Sequence, residues 1–242
     1  MRLHRFFLTE NINGGKIGAQ KEFSIESAEL TNQIRRVFRL KNADKVIIFD
    51  GSGFDFECEI AGGEKDSLNL RVVSSERSHY MPKRDIYLCA AITKKDTFEW
   101  IVEKATELGV THIIPVLAER SEKKSLNEVR LRKIAVEASE QSGRGSVPTI
   151  LPINNLEQAI SLANSTENMK SVAFHTEAEL FTDADIDTKS PTFVFIGPEG
   201  GWSADEVDLF HKSKIAVKCL GNQVLRAETA VIVALSKVVF SN

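Results

Sequence analysis

Two glycine-bearing segments in the C-terminal half have the residues that a small-molecule pocket needs. The first, TFVFIGPEGGWSADE, runs from an apolar strand through a turn at residues 197–201 into a helix, whose start is indicated by Ser203 and Glu206 as a capping box. Open α/β sheets bind ligands at the carboxyl ends of their strands, where glycine lets a ligand approach the backbone amides. An ordinary turn accounts for one glycine, but three glycines around Pro198 and Glu199 favour a binding site.

The second segment, LGNQVLRAETA, repeats this construction one strand later. Leu220 and Gly221 end a strand, and Arg226 opens the last helix. Two adjacent strand ends with glycine-bearing loops can enclose one ligand between them. Arg226 brings a fixed charge that can bind an RNA phosphate or orient a base, and an ion pair with Glu199 or Glu228 is the structural alternative.

The sequence lacks the motifs of several common active sites. It has no P-loop, no GxGxxG followed by an acidic residue, no HExxH and no GxSxG. His175 is the one histidine at the carboxyl end of a predicted strand, where it either lines the pocket or is simply packed or exposed. Cys58, Cys89 and Cys219 lie far apart and form no CxxC, which indicates buried thiols rather than a disulfide framework or a zinc site.

The first seventy-odd residues read as short strands separated by turns. LHRFFL, VIIFDG, FDFECEIAG and LNLRVV are the strand candidates, with NGG, DGSG and GGEKDS between them. In the third, apolar residues alternate with Asp55, Glu57 and Glu59, as in a strand with one buried face. A small β-barrel is the natural closure, with one short helix within residues 28–40.

From Asp85 onward, strands and helices alternate, which predicts an open α/β domain. IYLCAAI is apolar almost throughout, as expected of a parallel strand that is buried on both faces. A helix follows it, with Asp96 as its predicted cap and Gly109 at its end. The polar stretch of residues 74–83 predicts the boundary, so the expected domains are residues 1–74 and residues 75–242.

The charge distribution is compatible with RNA binding through one face. The net charge of −3 argues against a protein that coats nucleic acid, but positive residues cluster locally. For any single cluster, a solvated surface is the more common explanation. No segment is apolar for long enough to be a signal peptide or to span a bilayer, so we expect a cytoplasmic protein without membrane association. The basic residues near the start are Arg2, His4, Arg5, Arg35, Arg36, Arg39 and Lys41.

Together, GPEGGWSADE and LGNQVLRAETA resemble the RsmE family of the SPOUT superfamily of RNA methyltransferases. Further stretches resemble the family in the same order along nearly the whole chain. They are RFF, IRRVFRLKNADKVIIFDGSG, KKDTFEWIVEKATELGVTHIIPV, AERS and EASEQSGR. The chain departs from the family pattern at Gln223, where an arginine is expected.

The resemblance implies a fold and a cofactor. It implies an N-terminal PUA-like RNA-binding β-barrel and a C-terminal α/β domain tied in a deep trefoil knot, a feature that is almost absent from other proteins. It also implies a homodimer with the active site close to the subunit contact, and no metal. S-adenosylmethionine would be held in the knot, leaving as S-adenosylhomocysteine. The residues implied for the cofactor are His175, Gly197, Pro198, Glu199, Gly200, Gly201, Leu220, Gly221, Val224 and Leu225.

The implied reaction methylates a uridine ring nitrogen in small-subunit (16S) ribosomal RNA to give 3-methyluridine. The substrate is either free RNA or the assembled 30S subunit. Positioning should matter most, because the methyl donor is already activated, and no side chain is evident as the base. Our hypothesis is that Arg226 orients the base or stabilises its developing charge, while Arg2, Arg5, Arg35, Arg36 and Arg39 hold RNA phosphates. The alternatives are a related knotted enzyme acting on another RNA or atom, and an RNA-binding module with a vestigial pocket.

Overall fold

The computed structural model describes residues 3–8, 17, 21–64, 66–185 and 187–240. The chain divides into two compact units. The first unit takes residues 1–81 and 139–146, and the second takes residues 82–138 and 147–242.

The first unit is built on a curled five-stranded sheet. Its elements are β1 (Arg5–Phe7), β2 (Glu22–Ile25), α1 (Ala28–Asn32), a π-helical turn (Gln33–Val37), β3 (Lys45–Phe49), β4 (Phe54–Gly62) and β5 (Leu68–Arg77). The pairing order is β1-β3-β4-β5-β2, in which β1 and β3 are parallel and the other pairs antiparallel. The sheet corresponds to the predicted barrel, although β2 was not among the predicted strands, and β5 continues past the predicted boundary at residue 74.

Alternation along β4 places its apolar face in the core of the first unit, as predicted. Phe56, Cys58 and Ile60 are buried, whereas the acidic residues between them are partly exposed. Apolar residues of β1, β3, β5 and α1 complete this core. Burial of the Cys58 thiol raises its pKa to about 12, which fits a packing role.

The second unit is a parallel seven-stranded sheet with helices on both faces. Its elements are β6 (Ile86–Ala91), α2 (Lys95–Glu107), β7 (His112–Leu117), α3 (Glu128–Ser142), β8 (Thr149–Ile150), β9 (Asn154–Asn155), α4 (Leu156–Ser165), β10 (Lys170–Leu180), β11 (Thr192–Ile196), α5 (Ala204–Lys212), β12 (Ala216–Cys219) and α6 (Ala227–Phe240). The strand order is β12-β10-β11-β6-β7-β8, with β9 paired to β7.

Two apolar layers explain why β6 and β11 are apolar throughout. Leu88 of β6 faces a layer formed with α2, α3 and α6, while its neighbour Cys89 faces a layer formed with α4 and α5. Both faces of the central strands are therefore covered, which confirms the predicted open α/β domain. The deep trefoil knot implied by the resemblance stays a prediction.

The ends of α2 show how far local signals determine a helix. Gly109 follows its end with a φ of 97°, a left-handed conformation that glycine adopts readily, as predicted. The predicted cap is wrong: the helix begins at Lys95, so Asp96 lies in the first turn, and Lys94 occupies the cap position without a side-chain hydrogen bond. Asp96 still lies where a negative charge is favourable, near a helix N-terminus.

Candidate active site

Both predicted loops lie at the carboxyl edge of the parallel sheet. The first loop (residues 197–201) follows β11, and the second loop (residues 220–225) follows β12. Their strands are not neighbours, contrary to the expectation of adjacent strand ends, because β10 lies between them. Two strand spacings separate the loops by about 10 Å, which leaves room for one small ligand.

His175 belongs to β10, the strand between the two loops. It follows Phe174, where the pairing of β10 with β12 shifts register: Lys218 is paired first with Phe174 and then with Glu179. The imidazole is partly exposed. The structure therefore brings His175 and both loops to one edge of the sheet.

Close packing and backbone conformation explain the glycines of the first loop. A Cβ on Gly197 would lie 3.3 Å from atoms of Trp202, and a Cβ on Gly200 would lie 3.3 Å from the Arg120 side chain. Gly201 has a φ of 69°, and its amide donates to the Pro198 carbonyl at 2.8 Å. A Cβ on Gly201 would meet nothing within 4 Å, so this part of the loop borders open space.

The ends of β6 and β7 hold the first loop in place. The Arg120 guanidinium donates to the Gly200 carbonyl at 2.8 Å, and the Lys94 amide donates to the Glu199 carboxylate at 3.4 Å. Sequence reasoning had not assigned Arg120 and Lys94 to the site, although both stand in basic clusters close to strand ends. Contacts between residues eighty or more positions apart leave no local signal.

Glu206 ties the start of α5 to the end of β7. The predicted capping box is confirmed, since the Ser203 hydroxyl accepts from the Glu206 amide and the Glu206 carboxylate accepts from the Ser203 amide at 2.8 Å. The same carboxylate also accepts from the Glu119 amide at 2.9 Å. Because Glu206 is buried, these bonds fix the direction in which the first loop enters the helix.

Arg226 stands exposed at the start of α6. Its carbonyl accepts from the Ala230 amide at 2.8 Å, and the side chain has no carboxylate partner within the described part of the chain. The alternative of an ion pair with Glu199 or Glu228 is therefore not found. Val224, two residues earlier, is 84% exposed. The second loop thus presents the apolar side chain of Val224 to solvent, and Arg226, which follows the loop, presents its guanidinium.

The predicted RNA-binding arginines differ in their availability. Arg5 is buried in the first unit, where its guanidinium donates to Asp55 at 2.6 and 2.9 Å and to the Arg144 carbonyl at 2.9 Å, an arrangement that does not favour a phosphate contact. Arg35 donates to Asn42 and to the carbonyls of Leu40 and Gly62.

Arg36 and Arg39 are exposed, and neither has a side-chain partner among the described residues. Arg39 has a φ of 56°. Arg2 lies outside the described residues. Of the four predicted arginines that the structure describes, Arg36 and Arg39 are therefore the ones left free to meet a phosphate.

The described residues hold no group of three or more His, Cys, Asp or Glu side chains placed to bind a metal ion. All three cysteines are buried and free, as predicted. Burial also raises the pKa of the Cys89 thiol. None of the described helices is both long enough and apolar enough to cross a bilayer.

Comparisons with known proteins cover both units. A family model described as an RNA methyltransferase domain matches residues 80–239, and one described as an RNA methyltransferase PUA domain matches residues 34–73. The chain is 29% identical to the ribosomal RNA small subunit methyltransferase E of Bacillus subtilis, over 98% of this chain and 96% of that relative.

Two solved structures are similar over almost the whole chain. One is a ribosomal RNA small subunit methyltransferase E from Neisseria gonorrhoeae bound to S-adenosyl methionine, with a TM-score of 0.84, 27% identity, and coverage of 97% of this chain and 96% of that one. The other is a methyltransferase from Legionella pneumophila in complex with the same cofactor, with a TM-score of 0.84, 26% identity, and coverage of 98% and 96%.

Proposed function

Because the chain belongs to the RNA methyltransferase family, whose domain model matches residues 80–239, we propose that it methylates N3 of a uridine in small-subunit ribosomal RNA. The protein is an S-adenosylmethionine-dependent RNA methyltransferase, and the product on RNA is 3-methyluridine. The observation that carries the proposal is the placement of two glycine-bearing loops on either side of β10, at the carboxyl edge of the sheet.

The two loops fit S-adenosylmethionine. Open space at Gly201 leaves room for a ligand against the backbone, and Gly221, with a φ of 156°, is likewise in a conformation that disfavours side chains. Loop amides and carbonyls supply donors and acceptors for the polar groups of the cofactor, while Val224 and Leu225 supply apolar contact. The proposed cofactor residues are His175, residues 197–201, Leu220, Gly221, Val224 and Leu225.

Positioning is the main catalytic contribution that the protein makes. S-adenosylmethionine, when bound, supplies a methyl group already activated by a sulfonium charge. Arg226 orients the uridine by donating to the carbonyl oxygens of the base, and it stabilises the negative charge that develops as the imide proton passes to solvent. Its guanidinium is exposed and has no ion-pair partner among the residues that the structure describes, which supports this role. The target base must leave its stack to reach the loops.

The first unit supplies contacts to RNA phosphates. Residues 34–73 match the PUA domain model, and Arg36 and Arg39 present free charges at the end of the π-helical turn. Arg35 keeps a secondary part in this proposal, because its side chain already holds the turn to β4 through Gly62. The proposed RNA-binding domain is residues 1–74, followed by a methyltransferase domain of residues 75–242.

We further propose that two copies of the chain form a homodimer through the second unit. Helix α6 carries apolar residues on all sides, and a helix of this kind is normally covered all round. Phe240 is nevertheless 62% exposed, and Ile232 and Val233 are only partly buried. Leu180 and Val224 add exposed apolar surface to the same unit.

Modification of ribosomal RNA would place the enzyme in the cytoplasm.

The decisive experiment combines the purified protein with labelled S-adenosylmethionine and small-subunit ribosomal RNA, either free or in 30S subunits. We expect transfer to one uridine, identified as 3-methyluridine by mass spectrometry of the nucleosides. Another modified nucleoside would indicate a related methyltransferase with a different target. If calorimetry detected no binding of S-adenosylmethionine, the protein would instead be an RNA-binding module with a vestigial pocket.

A further inference from the structure

A cavity of about 830 Å³ opens in the second unit beside the candidate active site. It lies between the start of α2, the segment that follows β7 and the start of α3. The side chains that matter for its chemistry are Lys95, Glu99, Lys123, Lys124, Asn127 and Glu128. We refer to it as the lysine cavity.

The lysine cavity has positive charge that the protein itself does not neutralise. Glu99 accepts from Arg130 at 3.3 Å and lies 3.8 Å from the Lys95 ammonium, so its charge is already balanced. Lys123 and Lys124 are exposed, and neither has a carboxylate partner in the described ranges of the chain. Glu128 is the remaining acid, and it lies in the first turn of α3, where the helix dipole favours it. An anion is the chemically matched occupant.

The segments that line the lysine cavity also contact the first loop. Arg120, which binds the Gly200 carbonyl, belongs to the same segment as Lys123, and three residues of extended chain span at most about 11 Å. On the other side, Lys94 precedes Lys95 and donates its amide to Glu199. An anion in the cavity would therefore lie within one or two nucleotides of a base that is presented to the loops.

We propose that the lysine cavity binds a backbone phosphate of the RNA substrate next to the reacting uridine, with Lys123 and Lys124 as the principal donors. This inference rests on the proposed function and adds a second anchoring site, on the unit that carries the chemistry. Phosphate contacts of this kind fix the register of the strand without reading its sequence. Lys123 and Lys124 are thus positioning residues for the substrate.

The test compares two double variants that remove the same charge from the second unit. Lys123→Ala with Lys124→Ala empties the lysine cavity of its free cations. Lys189→Ala with Lys212→Ala is the matched control, since both residues are exposed and unpaired among the described residues, Lys189 precedes β11 at the amino edge of the sheet, and Lys212 ends α5. Lys123→Arg with Lys124→Arg keeps the charge and should behave as the wild type.

We expect the cavity variant to bind a small-subunit RNA fragment about tenfold more weakly at low salt, with a salt slope that is smaller by about 0.7 to 0.9, because one phosphate contact is lost. The KM for RNA should rise while kcat at saturating RNA and the affinity for S-adenosylmethionine stay unchanged. A salt slope equal to that of the control variant would overturn the proposal. A parallel loss of cofactor affinity would overturn it as well, because it would show a structural role for the segment.

The readouts also separate this inference from the proposed function. If the wild type binds RNA but transfers no methyl group, the proposed function fails, and RNA binding by the variants still decides the fate of the lysine cavity. Inorganic phosphate is the probe for a free anion. We expect no saturable binding below millimolar concentration; micromolar binding that the double alanine variant abolishes would assign the cavity to a free anion and overturn the RNA assignment.

Discussion

Arg226 is the residue whose loss should affect catalysis without affecting the fold. Its side chain is exposed and makes no ion pair within the described residues, so Arg226→Ala removes no internal contact. We expect the single-turnover rate constant of methyl transfer to fall about a hundredfold. This is the size of effect found when one donor to a developing negative charge is removed. Binding of S-adenosylmethionine, measured by calorimetry, should not change.

Two further variants sharpen this prediction for Arg226. Arg226→Lys keeps the charge but loses the forked donor geometry, so its rate should fall between those of the wild type and the alanine variant. Arg132→Ala, at an exposed position of α3, is the control and should be fully active. Wild-type single-turnover rates in Arg226→Ala would rule out a catalytic contribution from this side chain.

His112 predicts a pH dependence of stability. Its ring stacks on Tyr87 with a centroid distance of 4.2 Å, and burial lowers its pKa, against a smaller opposing effect of the Asp85 charge. The unfolded chain therefore binds a proton more readily than the folded one. Stability from this residue is complete above the unfolded pKa of about 6.5 and is lost as the pH falls from there towards the lowered folded pKa.

The measurement for His112 is denaturant unfolding at several pH values between about 7 and 5. His112→Phe keeps an aromatic ring against Tyr87 and should flatten the decline in stability over this interval. His211→Gln changes an exposed histidine of α5 and serves as the control. A His112→Phe protein that declines as steeply as the wild type would show that another group titrates.

At the scale of single residues, the sequence predicts chemistry well only where the partner is close in the chain. Ser203 and Glu206 are three positions apart, and their capping box was predictable from spacing. The buried pair of Arg5 with Asp55, fifty positions away, has no such signal, and an RNA-binding role for Arg5 stays a prediction. The sequence alone does not distinguish an arginine that faces solvent from one that is paired in the core.

At the scale of elements, Glu206 couples the start of α5 to the end of β7. Glu206→Ala leaves the buried Ser203 amide and the partly buried Glu119 amide without their acceptor, which should lower the free energy of unfolding by about 2 kcal/mol. The first loop precedes this helix turn directly, so the affinity for S-adenosylmethionine should also fall, by about tenfold. Denaturant unfolding and calorimetry measure the two effects.

Glu206→Gln is the informative companion because it keeps an acceptor oxygen and nearly the same volume. It should recover part of both losses. Glu157→Ala, at an exposed position in the first turn of α4, controls for the removal of a carboxylate from a helix N-terminus. Unchanged cofactor affinity in Glu206→Ala would mean that the first loop keeps its conformation without this tie.

Element prediction succeeded where apolar residues form a run or recur at helical spacing. The apolar runs of β6 and β11 and the stripe of α2 extend over five or more residues, and these elements were predicted nearly to their bounds. Strand β2 was not predicted, because its two buried residues, Phe23 and Ile25, are separated by a polar residue and form no apolar run. The order of the strands in the sheet depends on pairings between distant segments, so the position of β10 between the two loops had no sequence signal.

At the scale of the whole molecule, residues 139–146 show why the two units could not be separated by reading along the chain. They follow eleven residues of α3 that belong to the second unit, yet they complete the first. Glu140 accepts from the Phe7 amide at 2.9 Å, and Arg144 offers its carbonyl to Arg5. A single boundary near residue 74 is the natural expectation from composition, because contacts between segments as distant as those of Phe7 and Glu140 leave no signal in it.

The proposed division of labour between the units predicts that RNA affinity and chemistry can be changed independently. Arg36→Ala with Arg39→Asn removes two free charges from the first unit, and asparagine suits the positive φ at position 39. If each arginine holds one phosphate of single-stranded RNA, the salt slope of binding should fall by about 1.4 in all. The KM for RNA should rise, while kcat at saturating RNA, thermal stability and cofactor affinity stay as in the wild type.

The informative comparison is with Arg71→Ala, which removes a charge of β5 that is already paired with Glu22 and Glu59. An exposed pair of this kind contributes little to stability, and its loss should leave the salt slope unchanged. Equal salt slopes in the double variant and the wild type would move RNA contact away from the π-helical turn. A fall in kcat at saturating RNA would contradict the division of labour, because it would show that Arg36 or Arg39 takes part in the chemical step.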